Sequence, residues 1–205
     1  MEEQLLFIDF EFSMPDGKQY ERGFYPEIIE AGIVVVRKQQ IYKTISSYVT
    51  PVAFPKLTNR CKRFLGITQE EVDNGIAFSE LNELFTELSA NKKNKVVTWG
   101  NMDMKVLRDN CSKSNMSFPL NGDFIDLSME YKRFFGNRNQ TGLWKAVQEY
   151  GKDGVGKHHR ALDDAMTTYH IYKLVEKDKQ YMKKAEPTTI GDVVDFSKLF
   201  NNQLA

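Results

Sequence analysis

Two carboxylates separated by a single residue stand inside an apolar segment near the start of the chain. Asp9 and Glu11 lie within Leu-Leu-Phe-Ile-Asp-Phe-Glu-Phe at 5–12. Side chains alternate along a strand, so the two acids share one face. If the strand is central, burying them unpaired is costly, and divalent cations held by carboxylate oxygens would compensate. The segment alone allows a metal-binding pair or a strand-end pair that faces water.

A third acid, Asp103, follows a short apolar strand at 96–99 and stands at the start of a helix. An isolated aspartate at this point usually caps the helix or compensates its dipole. It takes on a chemical role only if the end of its strand lies beside the first pair.

A histidine and two more acids lie in Lys-His-His-Arg-Ala-Leu-Asp-Asp at 157–164, after a glycine-rich loop. His159 is suited to take a proton near neutral pH. Adjacent helical residues point about 100° apart, so only one of Asp163 and Asp164 can face a given site. A solvated basic loop and dipole compensation are the alternatives for these side chains.

The elements that must position these residues alternate between strands and helices. We predict strands at 5–12, 28–36, 41–50, 96–99 and 124–127, the second and third forming an antiparallel hairpin. We predict helices at 80–90, 103–111, 128–135, 142–150 and 161–177, with helix starts at Thr68 and Ser79 and a turn at 92–95. This order indicates an α/β fold, a five-stranded mixed sheet flanked by helices.

The composition bounds the protein class. The chain has 205 residues, of which 41% are hydrophobic, and 28 basic residues balance 28 acidic ones. We expect one domain over 1–205, with 187–205 a tail of unassigned role. The neutral charge argues mildly against a nucleic-acid binder, although a local basic rim is still possible. The acidic start, the two cysteines and the lack of an apolar run of about 20 residues favour a cytoplasmic protein without a membrane span.

Taken together, the motifs resemble those of the DEDDh 3′→5′ exonucleases, the superfamily of the proofreading subunit of bacterial DNA polymerase III. The matching pattern is Asp9-x-Glu11, an aspartate near residue 100, and His159-x-Ala161-x-x-Asp164. The spacing from His159 selects Asp164 over Asp163 and leaves His158 outside the pattern.

Further segments resemble the Eri-type branch, which includes histone-mRNA 3′-end exonucleases and small bacterial relatives. They are 8–12, 26–30, 64–73, 99–104 and 159–164. Eri-type relatives often have an aromatic residue directly before the second-motif aspartate, whereas this chain has Met102 there and Trp99 earlier. Base stacking beside the metals is therefore expected to differ.

The resemblance implies an RNase H-like fold and hydrolysis with two Mg²⁺ or Mn²⁺ ions about 3.5–4 Å apart. It implies that Asp9 bridges both ions, that Glu11 and Asp164 hold the first, and that Asp103 acts at the second ion or through its surroundings. His159 would take the proton of the attacking water. The product would be a nucleoside 5′-monophosphate.

The resemblance also implies a single-stranded nucleic-acid partner, RNA more than DNA, and leaves any protein partner unknown. The candidate substrate-binding side chains are Phe12, Phe64, Leu65, Ile67, Trp99 and Met102. Base stacking on such side chains contributes about 1–3 kcal/mol per base. Phe64 and Leu65 could instead be core, and Arg60, Lys62, Arg63 and Lys157 could bind phosphates or simply be solvated.

Two other functions fit the same pattern less well. One is a regulatory binding module with a nuclease fold and weak or no turnover, as in sporulation-type regulation. The other is an RNase H-like endonuclease, against which the His159 loop argues.

Overall fold

Five strands form a single mixed sheet. The structure, a computed structural model, describes residues 3–17 and 22–184. The strands are β1 (Glu3–Phe12), β2 (Ile28–Arg37), β3 (Gln40–Tyr48), β4 (Lys93–Thr98) and β5 (Asp123–Asp126). They lie in the order β3-β2-β1-β4-β5, with β1–β2 and β2–β3 antiparallel and β1–β4 and β4–β5 parallel. The five-stranded mixed sheet and the hairpin are as predicted.

Seven helices accompany the sheet in the described residues. They are α1 (Asn59–Leu65), α2 (Gln69–Asp73), α3 (Phe78–Ser89), α4 (Met102–Lys113), α5 (Leu127–Phe134), α6 (Leu143–Glu149) and α7 (Ala161–Lys184). Thr68 caps α2 as predicted, because its hydroxyl accepts the N–H of Glu71 while the Glu71 carboxylate accepts the N–H of Thr68.

The two faces of β1 have different surroundings. Leu6, Ile8 and Phe10 alternate onto one face and join a core with Leu81 and Phe85 of α3 and Val106 and Leu107 of α4. Phe7, Asp9 and Glu11 alternate onto the opposite face, where the Phe7 ring packs against Tyr169 of α7 at 5.2 Å. The chemistry-bearing pair therefore lies on the α7 side of the sheet.

Two predicted boundaries were wrong. The turn expected at 92–95 is mostly strand, because Lys93 and Asn94 pair with Glu3 and Gln4 and the buried Asn94 accepts a hydrogen bond from Gln4 at 3.0 Å. Ser79 does not cap α3, which already begins at Phe78, and there the Glu80 carboxylate accepts the Ala77 N–H at 2.7 Å. Pairing with β1 thus outweighs local composition at Lys93 and Asn94, and the Glu80 carboxylate caps α3 in place of Ser79.

The chain divides into two compact units, Met1–Ile171 and Tyr172–Ala205. The predicted single domain stays a prediction, and the expected tail at 187–205 lies outside the described residues. Within the part that the structure describes, no helix is both long and apolar enough to cross a bilayer.

Candidate active site

Three of the acids singled out in the sequence come together at one point. One ligand oxygen each of Asp9, Glu11 and Asp164 lies within 4.8 Å of the other two. Asp9 and Glu11 extend from the same face of β1, and Asp164 lies in the first turn of α7. Glu11 and Asp164 are buried, at 7% and 6% exposure.

A glycine allows α7 to begin directly against the sheet. Gly32 of β2 pairs with Asp9 across the β1–β2 ladder. A Cβ built at Gly32 would overlap the backbone of Ala161 and Leu162, the first residues of α7. Gly32 is a functional position missed in the sequence, although a glycine inside a strand is a recognised sign of close backbone approach.

The fourth acid, Asp103, lies beside this group but outside the 4.8 Å cluster. Its Oδ1 accepts the backbone N–H of Phe10 at 3.0 Å, which attaches the start of α4 to β1 between Asp9 and Glu11. Burial raises the pKa of Asp9 most, and among the neighbouring charges Asp103 contributes the largest further increase. The structure thus places Asp103 at the site while one of its oxygens serves a structural bond.

Burial and mutual repulsion make this group of acids hard to ionise together. Burial, followed by the nearby carboxylates, raises the pKa of Asp9 and raises that of Glu11 to about 8. Burial likewise raises the pKa of Asp103 to about 7. Hard divalent cations such as Mg²⁺ and Mn²⁺ prefer such oxygen-only donors and supply the missing positive charge, so the residues fit a metal site.

His159 lies at the edge of the acid cluster. Its backbone adopts a left-handed φ of 62°, uncommon for a residue other than glycine. Its ring centroid lies 3.9 Å from that of His158 and 4.3 Å from that of Phe64. Its Nδ1 is 3.8 Å from Oε1 of Glu11. Burial and neighbouring His158 lower the pKa of His159, which favours the neutral imidazole, the form that accepts protons.

Adjacent Asp163 and Asp164 have different partners. Asp164 accepts the His159 N–H on Oδ2 at 3.1 Å, whereas Asp163 accepts the Lys157 N–H on Oδ2 at 2.8 Å. Gly156 leaves the space that the Asp163 carboxylate fills. Asp163 therefore fixes the loop, and Asp164 faces the acids.

Trp144 is a site residue that the sequence argument missed. Its side chain is half-buried, and its Nε1 donates to Oδ1 of Asp164 at 2.6 Å. Burial raises the pKa of Asp164, while the bonds from Trp144 and His159 act in the opposite direction. Nothing in the spacing of Trp144 from the motif indicated this bond.

A second set of contacts that the sequence did not indicate holds Arg160, the residue after His159. The Arg160 guanidinium contacts Oε1 of buried Glu30 at 3.4 Å and donates to the hydroxyl of Tyr48, which donates to Glu71 at 2.9 Å. Burial raises the pKa of Glu30 to about 7 despite Arg160. The network ties the His159 loop to β2, β3 and α2.

The predicted substrate-binding side chains separate into exposed and buried ones. Phe64 and Met102 are 54% and 50% exposed, whereas Leu65 and Ile67 are 3% and 2% exposed within the core beneath α1. Phe12 is half-buried and packs against Phe10 at 6.5 Å. Trp99 is half-buried, and its Nε1 donates to the Thr141 carbonyl at 3.0 Å. Of these candidates, Phe64 and Met102 thus expose apolar surface, and the burial of Leu65 and Ile67 supports a packing role.

Known exonucleases are similar to this chain over most of its length. The model of the exonuclease family (RNase_T) matches residues 6–172. The chain is 55% identical over 195 residues to the probable 3′-5′ exonuclease KapD of Bacillus subtilis (strain 168), and the match covers 95% of each chain. It is 32% identical over 207 residues to ERI1 exoribonuclease 2 of Xenopus laevis, covering 88% of this chain and 29% of the relative. The chain thus spans under a third of that larger protein.

A solved structure shares the fold. The nuclease domain of 3′hExo, a DEDDh family member bound to rAMP, matches with a TM-score of 0.76 and 28% identity, covering 86% of this chain and 93% of that one. The match confirms the predicted RNase H-like architecture.

Proposed function

This chain belongs to the RNase_T exonuclease family and is a 3′→5′ exonuclease of the DEDDh type, and on that premise we propose that it shortens single-stranded RNA. In this proposal it releases nucleoside 5′-monophosphates with the help of two Mg²⁺ or Mn²⁺ ions. The observation that carries the proposal is the convergence of Asp9, Glu11 and Asp164 within 4.8 Å beside His159.

The residues divide the chemistry among them. Asp9, Glu11 and Asp164 would hold the cations, and Asp103 would support them from α4 while fixed to β1. When bound, the cations supply an activated water and a positive charge for the leaving oxygen. His159 would accept the proton of the attacking water, since its ring lies at the edge of the acid cluster, with Nδ1 3.8 Å from Oε1 of Glu11, and burial lowers its pKa.

The substrate side of the proposal rests on exposed groups around the acids. Phe64 and Met102 present apolar surface beside His159 and Asp103, where a terminal base could stack. Arg60 and Arg63 are exposed on α1, the helix that carries Phe64, and could contact phosphates. The preference for RNA is supported by two relatives, an exoribonuclease and a nuclease domain bound to rAMP.

A regulatory module without turnover is not favoured, because such a role does not need acids gathered at one point at the cost of raised pKa values. A role in sporulation-type regulation remains a prediction.

The proposal is tested with 5′-labelled single strands of one sequence, as RNA and as DNA, with Mg²⁺, Mn²⁺ or EDTA. We expect a stepwise ladder from the 3′ end, release of 5′-monophosphates, faster loss of RNA and no reaction in EDTA. Asp9→Asn should abolish the ladder, and Asp109→Asn, at an exposed acid on α4, should preserve it. Internal cuts alone would contradict the exonuclease, and faster loss of DNA would contradict the RNA preference.

A further inference from the structure

Both oxygens of the Asp164 carboxylate are held by N–H groups from outside its own helix. The indole Nε1 of Trp144 donates to Oδ1 at 2.6 Å, and the backbone N–H of His159 donates to Oδ2 at 3.1 Å. Two such bonds fix the plane of the carboxylate, so it has a defined direction toward Asp9 and Glu11.

The indole is itself held in place by the glycine-rich loop. Trp144 lies in the first turn of α6, and its ring lies 5.0 Å from that of His158. A Cβ built at Gly154 would lie 2.6 Å from the ring, so the loop backbone rests directly on the indole. The position of Trp144 therefore depends on the loop that carries His159.

The chemistry of indole suits this location. Indole nitrogen donates one hydrogen bond and accepts none, so it can neither ligate a cation nor take a proton from a water molecule. Each carboxylate oxygen has about two lone-pair sites, so an oxygen that accepts the indole N–H can still bind a cation. Trp144 can thus orient the Asp164 carboxylate without competing with it for the cation.

We propose that Trp144 is a positioning residue that presents the Asp164 carboxylate to the metal site and couples that carboxylate to the His159 loop. The inference rests on the proposed function in one respect, that Asp164 holds a cation. Hydrogen bonds to metal ligands from surrounding groups typically contribute 10- to 100-fold in metal affinity, and we expect about that contribution here.

The first test is an NMR titration of ¹⁵N-labelled protein with Mg²⁺, which needs no substitution at position 144. Trp99, the other tryptophan of the chain, donates to the Thr141 carbonyl and serves as an internal reference. We expect the Trp144 indole N–H resonance to shift and saturate with Mg²⁺, while that of Trp99 moves far less. A Trp144 resonance that stays fixed while backbone resonances of Asp9 and Glu11 shift would overturn the inference and leave the metal site intact.

The second test compares Trp144→Phe, which keeps an aromatic ring and removes the N–H, with Trp99→Phe. By calorimetry with Mn²⁺, we expect Trp144→Phe to weaken binding about 10- to 100-fold and Trp99→Phe to change it less than about twofold. Saturating Mn²⁺ should restore kcat in Trp144→Phe, with KM for the oligonucleotide unchanged. Equal Mn²⁺ affinity in Trp144→Phe and wild type would overturn the inference alone, whereas a wild-type protein that binds no Mn²⁺ would overturn the proposed function as well.

Discussion

The adjacent carboxylates of Asp163 and Asp164 have different roles because their hydrogen-bond partners differ. Asp163 accepts the Lys157 N–H and fixes the loop, while Asp164 faces Asp9 and Glu11 and accepts N–H bonds from Trp144 and His159. One step along the helix thus separates a structural acid from a proposed ligand.

This difference predicts unequal losses on truncation. Asp164→Ala should abolish turnover, because it removes a proposed cation ligand. Asp163→Ala should retain much more activity, because a loop attachment is lost while the cluster is kept. Steady-state kcat on a labelled RNA measures both, and equal losses would show that the assignment of the two acids is wrong.

The role of His159 is separable from metal binding. His159→Ala should lower kcat by about 10²–10⁴-fold, the usual contribution of a general base. Mn²⁺ affinity measured by calorimetry should change little. His158, His159 and Asp164 also lie within 4.8 Å of one another, so loss of Mn²⁺ binding in His159→Ala would instead assign the cation to that group.

At the scale of the elements, Gly32 allows α7 to pack directly against β2. A side chain at position 32 would overlap the backbone at the start of α7. Gly32→Ala should displace α7, separate Asp164 from Asp9 and reduce activity by more than tenfold, with a loss of about 1–3 kcal/mol in stability.

Gly142→Ala is the matched control for that substitution. Gly142 has a φ of −65° and open space where a Cβ would lie, so alanine fits there. Denaturant unfolding and RNA turnover measure both variants. Similar behaviour of the two would show that the close packing at Gly32 does not position Asp164.

The sequence predicted the elements where local signals agree with their tertiary surroundings. The apolar run around Asp9 and Glu11 predicted β1, and Thr68 with Glu71 predicted the start of α2. The start of β4 could not be read from Lys93 and Asn94, because their strand state comes from pairing with β1. The Trp144–Asp164 bond joins residues 20 positions apart through the loop geometry, which no local pattern encodes.

For the whole molecule, the uncompensated acids should make stability depend on pH and metal. The folded-state pKa of Glu11 is about 8, above its ordinary value of 4.5. A raised carboxyl pKa means that the folded state binds this proton more tightly than the unfolded state does. The contribution of protonated Glu11 to the free energy of unfolding is therefore full below about pH 4.5 and is lost as pH rises toward about 8. Without metal, wild type should therefore lose stability relative to Glu11→Gln over that interval.

Denaturant unfolding of both proteins in EDTA, between about pH 5 and pH 8, measures this difference. Adding Mg²⁺ at the higher pH should restore wild type, by about 2.7 kcal/mol at 100 times Kd for one site. A stability difference that does not change with pH would argue that Glu11 ionises freely in the folded protein.

Binding of Mn²⁺ is the most direct measurement of whether folding gathers Asp9, Glu11 and Asp164 into a cation site. Calorimetry of the wild-type protein with Mn²⁺ and a nucleoside 5′-monophosphate should give two ions per chain. Asp9→Asn should lose this binding while remaining folded, and Asp109→Asn should keep it. A wild-type protein that binds no Mn²⁺, or an Asp9→Asn variant that binds it as well as wild type, would contradict the metal site.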